Sequence, residues 1–249
     1  MKIESNLAQK VILGLLLILL SAFVYAVHYV IFRDAHHIFI YLIGDIAFVF
    51  IEVLLVTLVI HHILSEREKR AMLKKLNMVI GAFFSEVGTP LLHYFGGFDT
   101  NAEQISKHLV VDQNWSPEHF TKMRDVLEHH NYRIDSRAGD LEGLQEFLMG
   151  RRAFLVRLLE NPNLLEHEYF TELLWAVFHL AEELSHRKTV KDLPDTDYEH
   201  LSGDIKRVYR LLVREWLGYM EHLKGAYPYL FSLAVRTNPF DPNASPEVT

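Results

Sequence analysis

The chain has 249 residues, of which 50% are hydrophobic and 23% charged, and its formal net charge is −7 with neutral histidines. Lysine and arginine are scattered along this acidic chain, so the basic footprint that binds nucleic acid is missing. The sequence has no cysteine, which excludes disulfides, thiolate nucleophiles and cysteine-ligated zinc.

Two long apolar segments occupy the first sixty residues. The first covers about residues 11–32 without any Asp, Glu, Lys or Arg, and the second covers about residues 38–61. A helix of about 20 residues, rising about 1.5 Å per residue, spans the hydrocarbon core of about 30 Å. Because only residues 33–37 separate the segments, residues 1–63 are predicted to form a transmembrane hairpin.

Basic residues flank this predicted hairpin on the side of the chain termini. They are Lys2, Lys10, Arg67, Lys69, Arg70, Lys74 and Lys75. Since lysine and arginine concentrate on the cytoplasmic side, we expect a multi-pass protein of the cell inner membrane with both termini in the cytoplasm. A competing interpretation makes the first segment a signal peptide cleaved after Ala26, but its apolar run exceeds the usual length of about 7–15 residues.

Two carboxylates lie inside the second apolar segment. Asp45 and Glu52 are seven residues apart and therefore project from one face of a helix. In the predicted hairpin, Asp45 lies near the outer end and close to His28, whereas Glu52 lies near the midplane opposite apolar residues. Glu52 is then either a neutral acid that hydrogen-bonds between helices or, with Asp45, part of a ring that conducts protons or cations through a homo-oligomer.

The segment after the hairpin, residues 64–98, is predicted as a juxtamembrane helix that is first basic and then strongly apolar. One interpretation places residues 77–95 in the core of the following domain, with a break at Gly88 and Pro90. The other places residues 78–84 at the bilayer interface, held there by anionic lipid and the neighbouring basic residues.

Apolar residues recur at every third or fourth position from about residue 99 to residue 236. This period predicts an antiparallel helical bundle in the cytosol that folds without the membrane, and hence an all-α membrane protein. Ser116 before Pro117 and Asp140 before Leu141 are the expected residues for starting two of its helices. Residues 237–249 contain three prolines and are predicted to form a flexible tail.

A stripe of histidine and glutamate follows one predicted helix of the bundle. It consists of Glu172, His179, Glu183 and His186. Glu183 and His186 have the Glu-x-x-His spacing of di-iron bundles, so these residues are candidate metal ligands. Such a centre needs a second Glu-x-x-His, which the sequence lacks, although Glu215 and His222 lie seven residues apart. Regularly spaced leucines mark another face of the same helix, so exposure to solvent is the alternative interpretation.

The sequence contains no glycine-rich phosphate loop, dinucleotide fingerprint, His-Glu-x-x-His or Gly-x-Ser-x-Gly motif, and it implies no catalytic residue and no cofactor. We therefore predict a homo-oligomeric membrane anchor or regulatory interaction module. Its expected partners are the lipid bilayer, further copies of itself and a protein that binds the cytosolic domain. The alternatives are a homo-oligomeric ion or proton channel that uses Asp45 and Glu52, and a metal-dependent enzyme of the helical bundle.

Overall fold

The computed structural model describes residues 2–162, 164 and 167–247, without the side chains of residues 2–11 and 69–74. This part of the chain is helical, which confirms the all-α prediction. Its elements are α1 (Lys2–Phe32), α2 (Ala35–Phe83), a π-helical turn (Phe84–Gly88), α3 (Thr89–Phe98), α4 (Ala102–Ser106), α5 (Pro117–His129), α6 (Leu141–Leu159), α7 (Glu168–Ser185), α8 (Asp195–Ala226) and α9 (Pro228–Arg236). The chain divides into two compact units, the first ending at Lys69 and the second beginning at Arg70.

The first unit contains α1 and the N-terminal part of α2. Residues Ile12–Phe32 and Ala35–Glu68 are long and apolar enough to cross a membrane. Their large apolar side chains are exposed, as Leu19 at 70% and Phe50 at 74% show. A helix that is apolar all round needs an apolar environment, and lipid supplies one.

A connection of two residues, Arg33 and Asp34, joins α1 to α2. Arg33 adopts a positive φ of 48°, which turns the backbone out of the α1 helix. The Asp34 carboxylate then accepts the backbone N–H of His37 at 3.2 Å. This bond satisfies one of the free N–H groups at the start of α2.

The helix that enters the second unit does not break at Gly88 and Pro90. A π-helical turn, Phe84–Gly88, links α2 to α3 instead, and this wider turn accommodates a proline that has no N–H for an α-helical bond. A Cβ on Gly88 would lie 2.6 Å from the Phe84 ring, so glycine makes room for that ring. Phe83, Phe84 and Val87 are buried, which places this segment in the core.

Helix α8 is the centre of the second unit and packs against α3, α5, α7 and α9, while α6 packs against α7. Its buried face carries apolar residues at helical spacing, among them Leu201, Ile205, Val208, Leu212 and Met220. Aromatic rings connect the helices around it. The Phe83 and Phe170 rings lie 5.2 Å apart, and those of Phe95 and Tyr209 lie 5.8 Å apart, both edge-on. The elements form a helical bundle whose core includes residues N-terminal to the predicted start at residue 99.

The two expected helix starts are confirmed. Asp140 accepts the backbone N–H of Gly143 at 2.8 Å and caps α6. Pro117 is the first residue of α5, and the N–H of Ser116 donates to His119 Nδ1 at 3.2 Å. Both arrangements satisfy backbone groups that a helix end leaves free.

The tail predicted to be flexible from residue 237 begins with two packed side chains. Asn238 is 1% exposed and donates from Nδ2 to the carbonyl oxygen of Leu109 at 2.8 Å. Phe240 is 5% exposed, and its ring lies 4.9 Å from the ring of Trp216. Flexibility does not hold at these positions, because a satisfied buried amide and an aromatic contact attach the segment to the bundle.

Candidate functional site

The polar residues predicted to act inside the membrane are Asp45, Glu52 and His28. Asp45 and Glu52 are exposed, and within the described residues neither makes a hydrogen bond or an ion pair. His28 is half-buried, with its ring 4.7 Å from the ring of Phe32. No hydrogen bond joins His28 to Asp45 in the part of the chain that the structure describes. The two carboxylates are therefore unpartnered on an apolar helix.

The predicted metal stripe is divided among separate surroundings. Glu172 lines a cavity of about 460 Å³ that also contains arginine side chains. His186 ends α7, with its Nδ1 2.7 Å from the carbonyl oxygen of Glu182. His179 and Glu183 face neighbouring partners on α8, His179 lying against Asp204 and Glu183 against His200. Among the described residues no three His, Asp or Glu side chains are grouped so that they could hold a metal ion, and the metal site stays a prediction.

The two partners on α8, Asp204 of His179 and His200 of Glu183, also lie against each other. Asp204 is 5% exposed, and its Oδ2 accepts no hydrogen bond. That oxygen lies 3.4 Å from His200 Nε2 and 3.6 Å from His179 Nε2. His200 Nε2 is also 3.6 Å from the Glu183 carboxylate. Two imidazoles from neighbouring helices thus face one buried carboxylate.

Arginine side chains neutralise the carboxylates around this cluster. Arg207 lies 3.5 Å from Asp204, and Arg187 bonds Glu183 at 2.9 Å and Asp197 at 2.6 Å. The hydrogen bonds from Arg187 lower the pKa of both Glu183 and Asp197. We therefore interpret the cluster as a charge network that connects α7 to α8 rather than as a reactive centre.

A second group of polar residues lines a cavity of about 700 Å³ beside α4 and α5. Asp99, at 5% exposure, lies in its wall together with Asn101, Gln104, His108 and His130. Asp99 is held in place because the backbone of residues 99–100 pairs with that of residues 133–134. In this pairing, the Thr100 N–H donates to the Arg133 carbonyl oxygen at 2.9 Å. This pairing joins the end of α3 to the segment after α5.

Burial controls the titration of the groups around Asp99. It lowers the pKa of His130, although the Asp99 carboxylate partly opposes this effect. Burial and the Asp99 charge together raise the pKa of Tyr132 and of Tyr209. At neutral pH the imidazole and both phenols are therefore uncharged, and Asp99 provides the negative charge of this group.

Glu215 is a further unusual carboxyl group of the second unit. It lines a cavity of about 240 Å³ together with His167, Tyr169 and Tyr219. Burial raises the pKa of Glu215 to about 7, and the charge of Arg214 offsets only part of this effect. Arg214 itself lies over the Tyr169 ring, 3.8 Å from its centroid. Glu215 is therefore partly protonated near neutral pH.

The fold and these sites define an all-helical protein with two membrane-length apolar helices and a helical bundle. Its residues 4–64 match the N-terminal helical domain, and its residues 72–236 the C-terminal helical domain, of the family described as Uncharacterized protein MJ1433. The chain belongs to this family. The Uncharacterized protein MJ1433 of Methanocaldococcus jannaschii is 46% identical over 230 residues, which cover 92% of each chain. No solved structure matches.

Proposed function

We propose that this protein is a membrane-anchored helical module whose copies associate through their second span, and whose cytosolic bundle contacts a partner protein. The observation that carries the proposal is the position of Asp45 and Glu52. Both carboxylates are exposed within the apolar segment Ala35–Glu68, and neither has a polar partner among the described residues. A charged side chain at the centre of a bilayer costs about 3 kcal/mol or more, so such residues are expected to face another helix.

A second copy of the span supplies the missing partner. The Glu52 acid of one copy can hydrogen-bond the Glu52 or Thr57 side chain of another, and such contacts contribute about 0.6–2 kcal/mol each. The basic residues that flank the spans support a location in the inner membrane. They also support an orientation in which both chain termini lie in the cytoplasm. The bundle would then be available to cytosolic proteins.

An exposed apolar surface on the bundle supports the proposed protein contact. It consists of Met78, Tyr229, Leu230 and Leu233, which are 40–71% exposed. These side chains line a groove of about 600 Å³ whose floor includes Phe84 and Tyr219. A contiguous apolar patch of this kind is typical of an interaction surface, and apolar side chains of a partner protein would fill it.

Native mass spectrometry of the detergent-purified protein tests the association. We expect a closed oligomer for the unmutated chain and for Glu52→Gln, since the amide keeps the shape and the hydrogen bonds. Glu52→Ala removes the polar contact and should shift the distribution toward monomer. Ile51→Ala, a neighbouring change at an exposed apolar position, serves as the control and should leave the oligomer intact. A monomeric unmutated protein would contradict the proposal.

A proton or cation channel is the second candidate function, and the placement of both carboxylates on one helix face favours it. In an oligomer, Asp45 and Glu52 would form two stacked acidic rings around the axis. Glu52→Gln should then abolish flux in liposomes while the oligomer persists, and Asp45→Asn should have a smaller effect. If the unmutated protein shows no flux at any pH tested and with any common cation, the channel function is excluded and the anchor function remains.

A further inference from the structure

We propose that the second unit binds a small organic cation, a primary ammonium compound, in the cavity beside Asp99. This binding site goes beyond the anchoring and interaction functions proposed above and depends on neither. It rests on a buried carboxylate that lacks a counter-charge, on two neighbouring polar groups without partners, and on a cavity that adjoins them.

The Asp99 carboxylate uses only one of its two oxygens. Its Oδ1 accepts the backbone N–H groups of Asn101 at 3.0 Å and of Arg133 at 3.3 Å. Its Oδ2 is buried and has no hydrogen-bond partner. Within the described residues Asp99 also makes no ion pair. A buried carboxylate oxygen without a hydrogen-bond or ion-pair partner is unfavourable, and a cationic ligand would supply both interactions.

Two further buried atoms near Asp99 lack partners. They are His130 Nε2 and the Tyr132 hydroxyl, whose rings lie 4.6 Å apart in an edge-on arrangement. His130 is uncharged at neutral pH because burial lowers its pKa, and a neutral imidazole offers one acceptor nitrogen. Asp99 and His130 line the cavity, and Asp99 Oδ2 and His130 Nε2 can each accept a hydrogen bond. An ammonium group has three N–H donors and a compensating positive charge.

The charges around the cavity favour a cation over an anion. Lys107 is at the rim, but it lies 3.6 Å from the Glu103 carboxylate, which balances its charge. The Asp99 charge acts on His130, which lines the same cavity, so its negative potential reaches this part of the wall. An anionic ligand would have to approach this uncompensated carboxylate.

A divalent metal ion fits the cavity less well than an organic cation. Metal ions bound by oxygen ligands require six or more donors, or four with nitrogen ligands. The buried atoms without partners that belong to described lining residues are one carboxylate oxygen, of Asp99, and one imidazole nitrogen, of His130. No group of three His, Asp or Glu side chains that could hold a metal ion occurs in the described residues. The cavity of about 700 Å³ has room for a small organic molecule such as an aliphatic diamine.

Isothermal titration calorimetry on the full-length protein in detergent tests the proposal with two probes of matched length. Putrescine, 1,4-diaminobutane, carries the ammonium groups, and 1,4-butanediol is its uncharged counterpart. We expect saturable binding of putrescine and a higher thermal unfolding midpoint in its presence, with neither effect from butanediol. Magnesium chloride at equal ionic strength controls for general screening of the acidic protein.

Asp99→Asn separates a binding residue from a structural one. The amide keeps an oxygen for the N–H groups of Asn101 and Arg133, so the variant should fold, with an unfolding midpoint equal to or above that of the unmutated protein without ligand. Putrescine should bind at least tenfold more weakly, and its stabilising effect should disappear. Glu146→Gln, a change at an exposed carboxylate of α6 outside the cavity, is the matched control and should retain binding.

Two results would overturn the site. One is the absence of saturable putrescine binding to the unmutated protein, which would mean that the buried acceptors are satisfied by water alone. The other is equal binding of putrescine by Asp99→Asn, or an equal effect of magnesium, which would indicate surface screening. The first result does not depend on the variant, so the proposal remains testable if Asp99→Asn fails to fold.

Discussion

The two units of this chain place their apolar side chains in opposite positions. In the first unit they point outward along both helices, where Leu19 and Phe50 are 70% and 74% exposed. In the second unit they point inward, and Phe83, Leu212 and Phe170 are fully buried. The comparison shows two opposite arrangements of apolar side chains in one chain, and from it we expect lipid around the first unit and water around the second.

The two units also differ in whether their charged side chains have partners. Several half-buried charges of the second unit have ion-pair partners, as Arg187 has Asp197 and Glu183. Asp99, on which the cation proposal rests, and Glu215 make no ion pair within the described residues. In the first unit, Asp45 and Glu52 have no such partner among the described residues. Partner groups for these carboxylates are therefore expected outside a single chain.

Truncating the chain should give the largest effect and tests whether the second unit folds by itself. A fragment beginning at Arg70 keeps the whole second unit and should be soluble, helical and cooperative on heating. A fragment beginning at Asp99 loses Phe83, Phe84 and Phe95 from the core and should aggregate or unfold without cooperativity. Circular dichroism melts with size-exclusion chromatography distinguish the two. Equal behaviour of both fragments would show that residues 70–98 are dispensable for folding.

Replacing single apolar side chains with alanine should show whether the stability of the second unit depends on its own core alone. Phe83→Ala removes a ring that packs against Phe84 and Phe170, and should cost the second unit about 3–5 kcal/mol. Leu19→Ala should leave the unfolding of that unit unchanged, because Leu19 belongs to the other unit and is exposed. Denaturant unfolding followed by circular dichroism measures both. Similar losses for the two variants would argue against independent units.

Arg187→Met tests the half-buried charge network of the bundle. It leaves Glu183 and Asp197 without their guanidinium partner and should cost about 1–3 kcal/mol near pH 7. Arg152→Met, which breaks an exposed pair with Glu182, is the matched control and should cost about 0–1 kcal/mol. Urea unfolding measures both, and equal costs would mean that Arg187 is an ordinary surface residue.

The effect of Arg187→Met should also depend on pH. Arg187 lowers the pKa of Glu183 and Asp197 in the folded state, so its contribution is present above their unfolded pKa of about 4. The contribution is lost as the pH falls through the lowered folded-state pKa values of the two carboxyl groups. The stability difference between the variant and the unmutated protein should therefore shrink in acid.

Glu215→Gln should give the smallest change in the free energy of unfolding, and it should stabilise the fold whereas the preceding variants destabilise it. Burial raises the pKa of Glu215 to about 7, above an unfolded value of about 4.3. The penalty for ionising it therefore grows as the pH rises from about 4.3 to about 7 and is constant above that. The neutral amide should stabilise the fold by about 1–2 kcal/mol near pH 8 and by almost nothing near pH 4.

Urea titrations of Glu215→Gln at these two pH values provide the measurement. Glu146→Gln, a change at an exposed glutamate of α6, is the control and should show no such difference. A Glu215→Gln stability gain that is the same at both pH values would contradict the assignment of a raised pKa to Glu215.

Local features of the fold were predictable from the sequence, and features that depend on distant residues were not. Asp140 before Leu141 predicts a helix start because the cap acts within three residues. The π-helical turn at Gly88 was missed because it depends on space for the Phe84 ring. Asn238 and Phe240 were assigned to a flexible tail because their partners, Leu109 and Trp216, lie far away in the sequence.

For the candidate sites too, local spacing was readable from the sequence, whereas contacts between distant residues were not. His179 and Glu183 stand out by their spacing of four, and His200 and Asp204 repeat that spacing on α8. Comparing the two pairs could have identified the cluster, but their contact depends on the register between α7 and α8. The cavity of Asp99 gives no local signal, since residues 133–134 form part of its support.

The central claim, that one unit lies in lipid and the other in water, is tested most directly by labelling single cysteines in native membranes. The chain has no cysteine of its own, so Leu19→Cys, Leu55→Cys and Met149→Cys each carry one thiol. All three positions are similarly exposed in the protein alone, at 70%, 54% and 53%. We predict that a water-soluble maleimide labels position 149 rapidly and positions 19 and 55 only after detergent is added. Equally rapid labelling of all three positions in intact membranes would contradict the account.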